Sequence, residues 1–175
     1  MSTAWYDELR DNHRPDVVEV LLVAESPPDP GSTDRRFFYS PTLDGKDNLY
    51  RGVATALYGR ETDFDLTAKA TVLRRIQRDG FWLIDLCDEP VNHLPPSARR
   101  RALQDAVPDL VARAVAVAPT RGVIVCMTPV HRLVAAPLEA AGVPVLHDTP
   151  LPFPMSWLRA DFVEGFRHTL GSEAF

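Results

Sequence analysis

The sequence predicts an α/β fold, a three-layer αβα sandwich with a central four-stranded parallel sheet, and three observations carry that reading. Four short apolar runs alternate with stretches of helical periodicity, the runs are near-continuous in Val, Ile and Leu, and each stops near a proline or a polar residue. Continuous apolar runs suit parallel strands covered on both faces, and the intervening helices supply the right-handed crossovers that cover them. With 175 residues, 45% of them hydrophobic, the chain is long enough for one well-buried core and short for two. A single domain over 1–175 is expected.

Residues 3–12 predict a short helix with Trp5, Tyr6 and Leu9 on one side. The run from Val18 to Ala24 predicts a first strand over 17–24, halted at Glu25-Ser26-Pro27-Pro28 because prolines cannot donate to a sheet ladder. A polar loop, 29–36, leads into Phe37-Phe38-Tyr39; successive aromatics point in different directions, so at least one is expected on a pocket wall. Leu49, Val53, Ala56 and Leu57 predict a helix over 48–57. Another spans 67–80, with Val72, Leu73 and Ile76 inward, three arginines outward and Gly80 as its stop. Phe81 to Leu86 reads as the second strand, with Asp85 near its carboxyl end. Past a loop holding His93, Ser97 is expected to cap a helix over 97–106, and Pro108 opens another that runs to 117. The third strand is 122–127, ended by Thr128-Pro129, and a helix over 133–141 closes at Gly142. Val143 to His147 predicts a short fourth strand at an edge, where Pro144 is tolerated. A proline-rich loop over 148–158 precedes a last amphipathic helix bearing Phe162, Phe166 and Leu170.

A net charge of −5 argues against a general basic coat for nucleic acid, though not against a small basic patch. Cys87 and Cys126 match neither a CxxC motif nor zinc-ligand spacing, so no metal, cluster or other cofactor is expected. The N-terminus lacks a basic and an apolar leader region, and no stretch reaches the roughly 20 apolar residues of a membrane span. A cytoplasmic location with no membrane partner follows as the expectation. No Gly-rich phosphate loop of either the GxGxxG or the GxxxxGK[ST] type occurs.

In a parallel sheet every strand's carboxyl end opens on one crevice, where ligands bind. Glu25, Ser26, Asp85, Thr128 and the loop from Pro150 to Leu158 are all expected there. Asp85 stands out, since a carboxylate inside an apolar run requires a partner or a ligand to offset its desolvation.

These segments resemble motifs of the uracil-DNA glycosylase superfamily. Ala24-Glu25-Ser26-Pro27-Pro28 looks like its first motif, a small residue followed by Gln or Glu, a variable residue and Pro. Phe38 falls where members place the Phe that stacks on an extruded base, with Tyr39 beside it, and Asp85 falls where most carry the Asn that reads uracil. Leu151-Pro152-Phe153-Pro154-Met155-Ser156 is similar to the second motif, whose loop presses the DNA backbone and inserts an apolar wedge. The resemblance implies DNA or a nucleobase as partner and hydrolysis of an N-glycosidic bond, with Glu25 and Ser26 as catalytic candidates. It implies Phe38, Tyr39, Asp85, Pro154 and Ser156 as substrate-binding residues, and Met155, Trp157 or Leu158 as the wedge. Two departures stand against catalysis: Ser26 replaces an Asp or Asn that handles water, and Leu151 replaces a His or Asn that stabilises the departing base. Leu cannot donate a hydrogen bond, so His147 is the remaining candidate for that role. An ionised Asp85 accepts but cannot donate, which disfavours uracil itself. The alternative expectation is a non-catalytic member that binds a nucleotide or a protein in the same crevice. The arginines at 99–101 offer phosphate contacts or a solvated helix face.

Overall fold

The computed structural model describes residues 5–27, 29 and 37–171. Pro28 and most of the polar loop expected over 29–36 thus lie outside the described residues. The fold is α/β, with one open parallel sheet of three strands, β1 Val20–Ala24, β2 Phe81–Asp85 and β3 Gly122–Val125, in the order β2-β1-β3. Every residue of the three strands is buried, the physical reason for their continuous apolar composition. Val20 stands opposite both Phe81 and Gly122, and Ala24 opposite Asp85, so the three strands start level and β1 and β2 end level, with β3 one residue shorter. Pairing runs on past β1 and β2, where the amides of Leu86 and Cys87 donate to the carbonyls of Ala24 and Glu25 at 2.9 and 3.0 Å. Glu25, one position past the Ala24–Asp85 pair, and Asp85 are thereby both fixed at one end of the sheet.

Seven helices are found among the described residues: α1 Trp5–Asn12, α2 Asn48–Tyr58, α3 Lys69–Arg78, α4 Pro96–Asp105, α5 Val107–Val117, α6 Thr128–Ala140 and α7 Arg159–Leu170. Helix α2 packs on α7 and α5 on α6. Tyr50, Val53, Ala54 and Leu57 bury one stripe of α2, and Phe162, Val163, Phe166 and Leu170 one stripe of α7, the spacing of a core-facing helix. Pro96, Pro108 and Pro129 each lie in a first turn, where a missing N–H costs nothing. Helix α6 accordingly starts at Thr128, five positions before the expected 133, because Thr128-Pro129 opens the helix. Ser97 is not a cap: Pro95 holds that position, without a side-chain hydrogen bond.

The expected fourth strand is not formed, and the four-stranded layout is corrected to three. Val145 makes a single parallel bridge to Val123, flanked by bonds from Val123 N–H to the Pro144 carbonyl and from Leu146 N–H to the Val123 carbonyl. Pro144 has no N–H to extend the ladder, and the next donor on β3, the Val125 amide, bonds to the His147 ring at 2.9 Å rather than to backbone. A side chain likewise closes the opposite edge. The Tyr39 hydroxyl donates to the Leu83 carbonyl at 3.1 Å and accepts the Leu83 N–H at 2.6 Å, which satisfies the middle of β2 on the edge where no strand among the described residues pairs. No helix among the described residues is long and apolar enough to cross a membrane.

Candidate functional site in the crevice at the strand ends

A crevice of about 730 Å³ opens where β1 and β2 end. Ala24, Glu25 and Ser26 line it from β1, Leu83 and Asp85 from β2, and Phe37 and Phe38 from the aromatic loop. Asp47, Asn48, Leu49 and Tyr50 line it from the start of α2, Met127 and Pro129 from the start of α6, and Phe153 and Met155 from the proline-rich loop. Asp29, Lys46, Asn92 and Arg99 add polar groups to its lining.

Glu25 follows β1 directly and is nearly buried. Arg99, in the first turns of α4, donates Nε to Glu25 Oε1 at 2.8 Å and Nη2 to the same oxygen. Both contacts use one oxygen, so the carboxylate is oriented while Oε2 has no partner among the described residues. Arg100 and Arg101 point to solvent, so the arginine run divides into one site residue and two exposed cations. Ser26 Oγ is buried without a hydrogen-bond partner.

Asp85 ends β2 with 3% of its surface exposed, and its Oδ2 is buried with no partner. Arg113, from α5, donates to the backbone carbonyls of Asp85 and Leu86 at 3.0 and 2.9 Å and pairs with Asp109 and Asp88, so its bonds go to the Asp85 backbone rather than to the Asp85 carboxyl. Burial pushes the carboxyl up to about 7, against the pull of Arg10 and Arg113 and with added push from Asp88 and Glu25. Near neutrality a large share of Asp85 is therefore a neutral acid that can donate as well as accept. The acceptor-only character drawn from the ionised form thus applies only to the share of Asp85 that has lost its proton.

Phe38 is braced edge-on by Tyr39 and Tyr50, with ring centroids 5.0 and 6.4 Å away. The loop that carries it is anchored by Lys69, whose buried Nζ donates to the Phe37 carbonyl at 2.9 Å and to Asp47 Oδ2 at 3.0 Å, 5.0 Å from the Tyr50 ring centre. Burial pulls the Lys69 ammonium below its ordinary range, opposed by Asp47. Sequence patterning missed Lys69 as an anchor because it stands at the buried edge of a helix otherwise read from its apolar residues. It missed Asp47, and it read Arg99 as a phosphate contact or a solvated residue rather than as the partner of Glu25, because each pairs with a residue distant in sequence.

Of the expected site residues, Glu25, Ser26, Phe38, Asp85 and Met155 line the crevice. Tyr39 does not: it is fully buried and its hydroxyl is committed to β2. Pro154 is buried against α2 and α7, with Gly52 placed so that a Cβ there would come within 2.7 Å of its ring. Ser156 and Trp157 are exposed, Trp157 at 73%, and Leu158 is half-buried at the start of α7; none of them lines the crevice. His147 is corrected as a group for the crevice. Its Nε2 accepts the Val125 amide of β3 and its Nδ1–H donates to the Thr149 carbonyl of the loop that follows, so both ring nitrogens are committed to backbone. Leu151 is buried beside Gly165, its carbonyl accepting the Thr128 hydroxyl at 3.0 Å. Among the described residues no cluster of three or more His, Cys, Asp or Glu side chains is placed to hold a metal ion.

The arrangement offers an aromatic wall, an oriented carboxylate, an unpaired hydroxyl and an acid with an unpaired oxygen, all in one concave space. Those are the elements that stack a flat heterocycle and pair with its edge. No protein-family model, curated protein or solved structure matches the chain.

Proposed function

We propose that this crevice binds a single nucleobase, extruded from DNA, in the manner of a uracil-DNA glycosylase-like αβα protein, and that Glu25 serves hydrolysis of its N-glycosidic bond. One observation carries the reading: Asp85 and Ser26, whose Oδ2 and Oγ are buried without hydrogen-bond partners, are lining residues of the same crevice as the braced Phe38 ring. A buried polar atom left unpaired costs about 1–3 kcal/mol, a cost that a ligand's edge groups would remove. The volume of about 730 Å³ falls within the range of small-molecule sites and leaves room for a base together with its sugar. Glu25, oriented through Oε1 by Arg99, keeps its second oxygen to orient a water. Met155, 37% exposed at the rim, and the exposed Trp157 supply apolar groups to fill a vacated stack, and Lys46 with Arg100 and Arg101 supply phosphate contacts.

A second reading, binding without turnover, is favoured by a separate observation. Leu151 lies in the core and His147 is committed to β3, so neither supplies a donor to a departing base. Strand-cleavage assays decide between the two. Duplex and single-stranded oligonucleotides carrying uracil, hypoxanthine, xanthine or alkylated bases are incubated with the wild type and with Glu25→Ala. Release of one base by the wild type, lost in the variant, supports hydrolysis. Silence on every substrate overturns it and leaves binding, read as a ligand-induced rise in melting temperature.

A further inference from the structure

We propose that Asp85 meets its ligand as a neutral carboxylic acid, and so selects a planar base presenting one N–H donor beside one acceptor, oxo and amino pyrimidines alike. The inference rests on the base-binding reading above and specifies which bases the site accepts. Its ground is geometric. Asp85 closes β2 directly opposite Ala24, almost wholly buried, with Oδ2 unpaired and Phe38, Leu83 and Met127 among the apolar walls beside it. The cations packed nearest are engaged elsewhere. Arg113 of α5 is spent on backbone carbonyls and on Asp88 and Asp109, and Arg10 of α1 pairs with Asp7 at 2.8 Å. Asp88, three residues past the end of β2, and Glu25, just past the end of the adjoining β1, add negative charge that disfavours ionisation, and the titratable neighbours Cys87, Cys126, Tyr6 and Tyr39 are all held protonated at neutral pH by burial.

A neutral carboxyl carries one O–H donor and one carbonyl acceptor, and the proton can occupy either oxygen. It therefore pairs with N3–H and O4 of uracil, or with N3 and the N4 amine of cytosine, by moving the proton from one oxygen to the other. The ionised form accepts twice. It would repel either pyrimidine's acceptor and suit a donor–donor edge, such as N1–H and the amine of guanine. If only the neutral acid binds, affinity for uridine and cytidine falls about tenfold per pH unit above the Asp85 titration.

Calorimetric titration of the full chain with uridine, cytidine, 3-methyluridine and guanosine, from about pH 6 to about pH 8.5, tests this, alongside a carbon-13 NMR titration of the aspartate carboxyls. Expected are comparable affinities for uridine and cytidine at the acid end, a loss of at least about tenfold for both at the alkaline end, and at least about tenfold weaker binding of 3-methyluridine, which lacks the donor. Asp85→Asn, neutral at every pH, should bind uridine with a flat pH profile, and the NMR should show one carboxyl titrating near neutrality that this variant lacks. A pH-flat wild type, rejection of cytidine by more than about a hundredfold, or an Asp85 carboxyl titrating in the ordinary acid range overturns the proposal. If nucleosides bind with a flat profile and Phe38→Ala weakens them, the role of Asp85 falls and the base-binding reading stands. If no nucleoside binds at any pH, both fall.

Discussion

Asp85→Asn is expected to stabilise the protein in a way that depends on pH, and the size follows from the carboxyl's surroundings. Burial raises the group from 3.8 to about 7. The folded protein therefore holds this proton through a window in which the unfolded chain has already released it. Between those limits the folded state binds more protons, so stability falls as pH rises, reaches its full loss above pH 7 and is unaffected below about pH 4. At about 1.4 kcal/mol per pH unit the whole penalty is on the order of 4 kcal/mol, a large part of the 5–15 kcal/mol that holds a typical domain together. The amide has the shape of the acid without its charge. Urea denaturation of both proteins at a series of pH values should give similar stabilities near pH 4, with the variant pulling ahead to several kcal/mol by about pH 8. Every other titrating group is common to the two proteins and cancels in the difference. A constant difference from acid to alkali would refute the claim that Asp85 pays for its place in the crevice by remaining protonated.

Two further outcomes test the supports around the site. His147 is held neutral by its burial, below its ordinary 6.5, so the unfolded chain takes the proton first as pH falls. Its contribution is therefore complete above about pH 6.5 and drains away in the acid range, whereas His147→Leu should flatten that slope and cost about 1–3 kcal/mol at neutral pH by orphaning the Val125 amide, measured by urea denaturation. Gly52→Ala would set a Cβ at 2.7 and 2.8 Å from Pro154 and 3.0 Å from Phe162, and the rigid proline ring cannot swing aside. A loss of about 1–3 kcal/mol is expected, together with weaker ligand binding because Pro154 carries Met155 at the crevice rim; Gly45→Ala, with nothing near the added carbon, should change neither.

The sheet was legible because its strands are buried on both faces, Glu25, Ser26 and Asp85 were legible because a parallel sheet brings strand ends to one edge, and Phe38 was legible from its run of three aromatics. What escaped were contacts between positions far apart in the chain. The pairing of Glu25 with Arg99 joins a strand end to a helix 74 residues away, and no local pattern sets one arginine of three apart. The aromatic loop shows the same limit: composition marked Phe37 to Tyr39 as a wall, but only the open edge of β2 explains why Tyr39 turns inward and Phe38 lines the crevice. The fourth strand failed on one missing N–H and one imidazole. Val143 to His147 has strand composition, yet Pro144 and the His147 ring reduce it to a single bridge. Helix α6 was misplaced for a related reason, since Pro129 reads equally well as the end of a strand or the first turn of a helix.

The central claim is that the crevice between β1, β2 and the aromatic loop takes a nucleobase. The most direct measurement is an NMR titration of the isotopically labelled chain with uridine near pH 6, following each backbone amide. Shifts that saturate and cluster at Glu25, Ser26, Phe37, Phe38 and Asp85, and that vanish in Phe38→Ala, are the result predicted. Amides that stay unmoved at saturating nucleoside, or that shift only on surfaces remote from the strand ends, would contradict it.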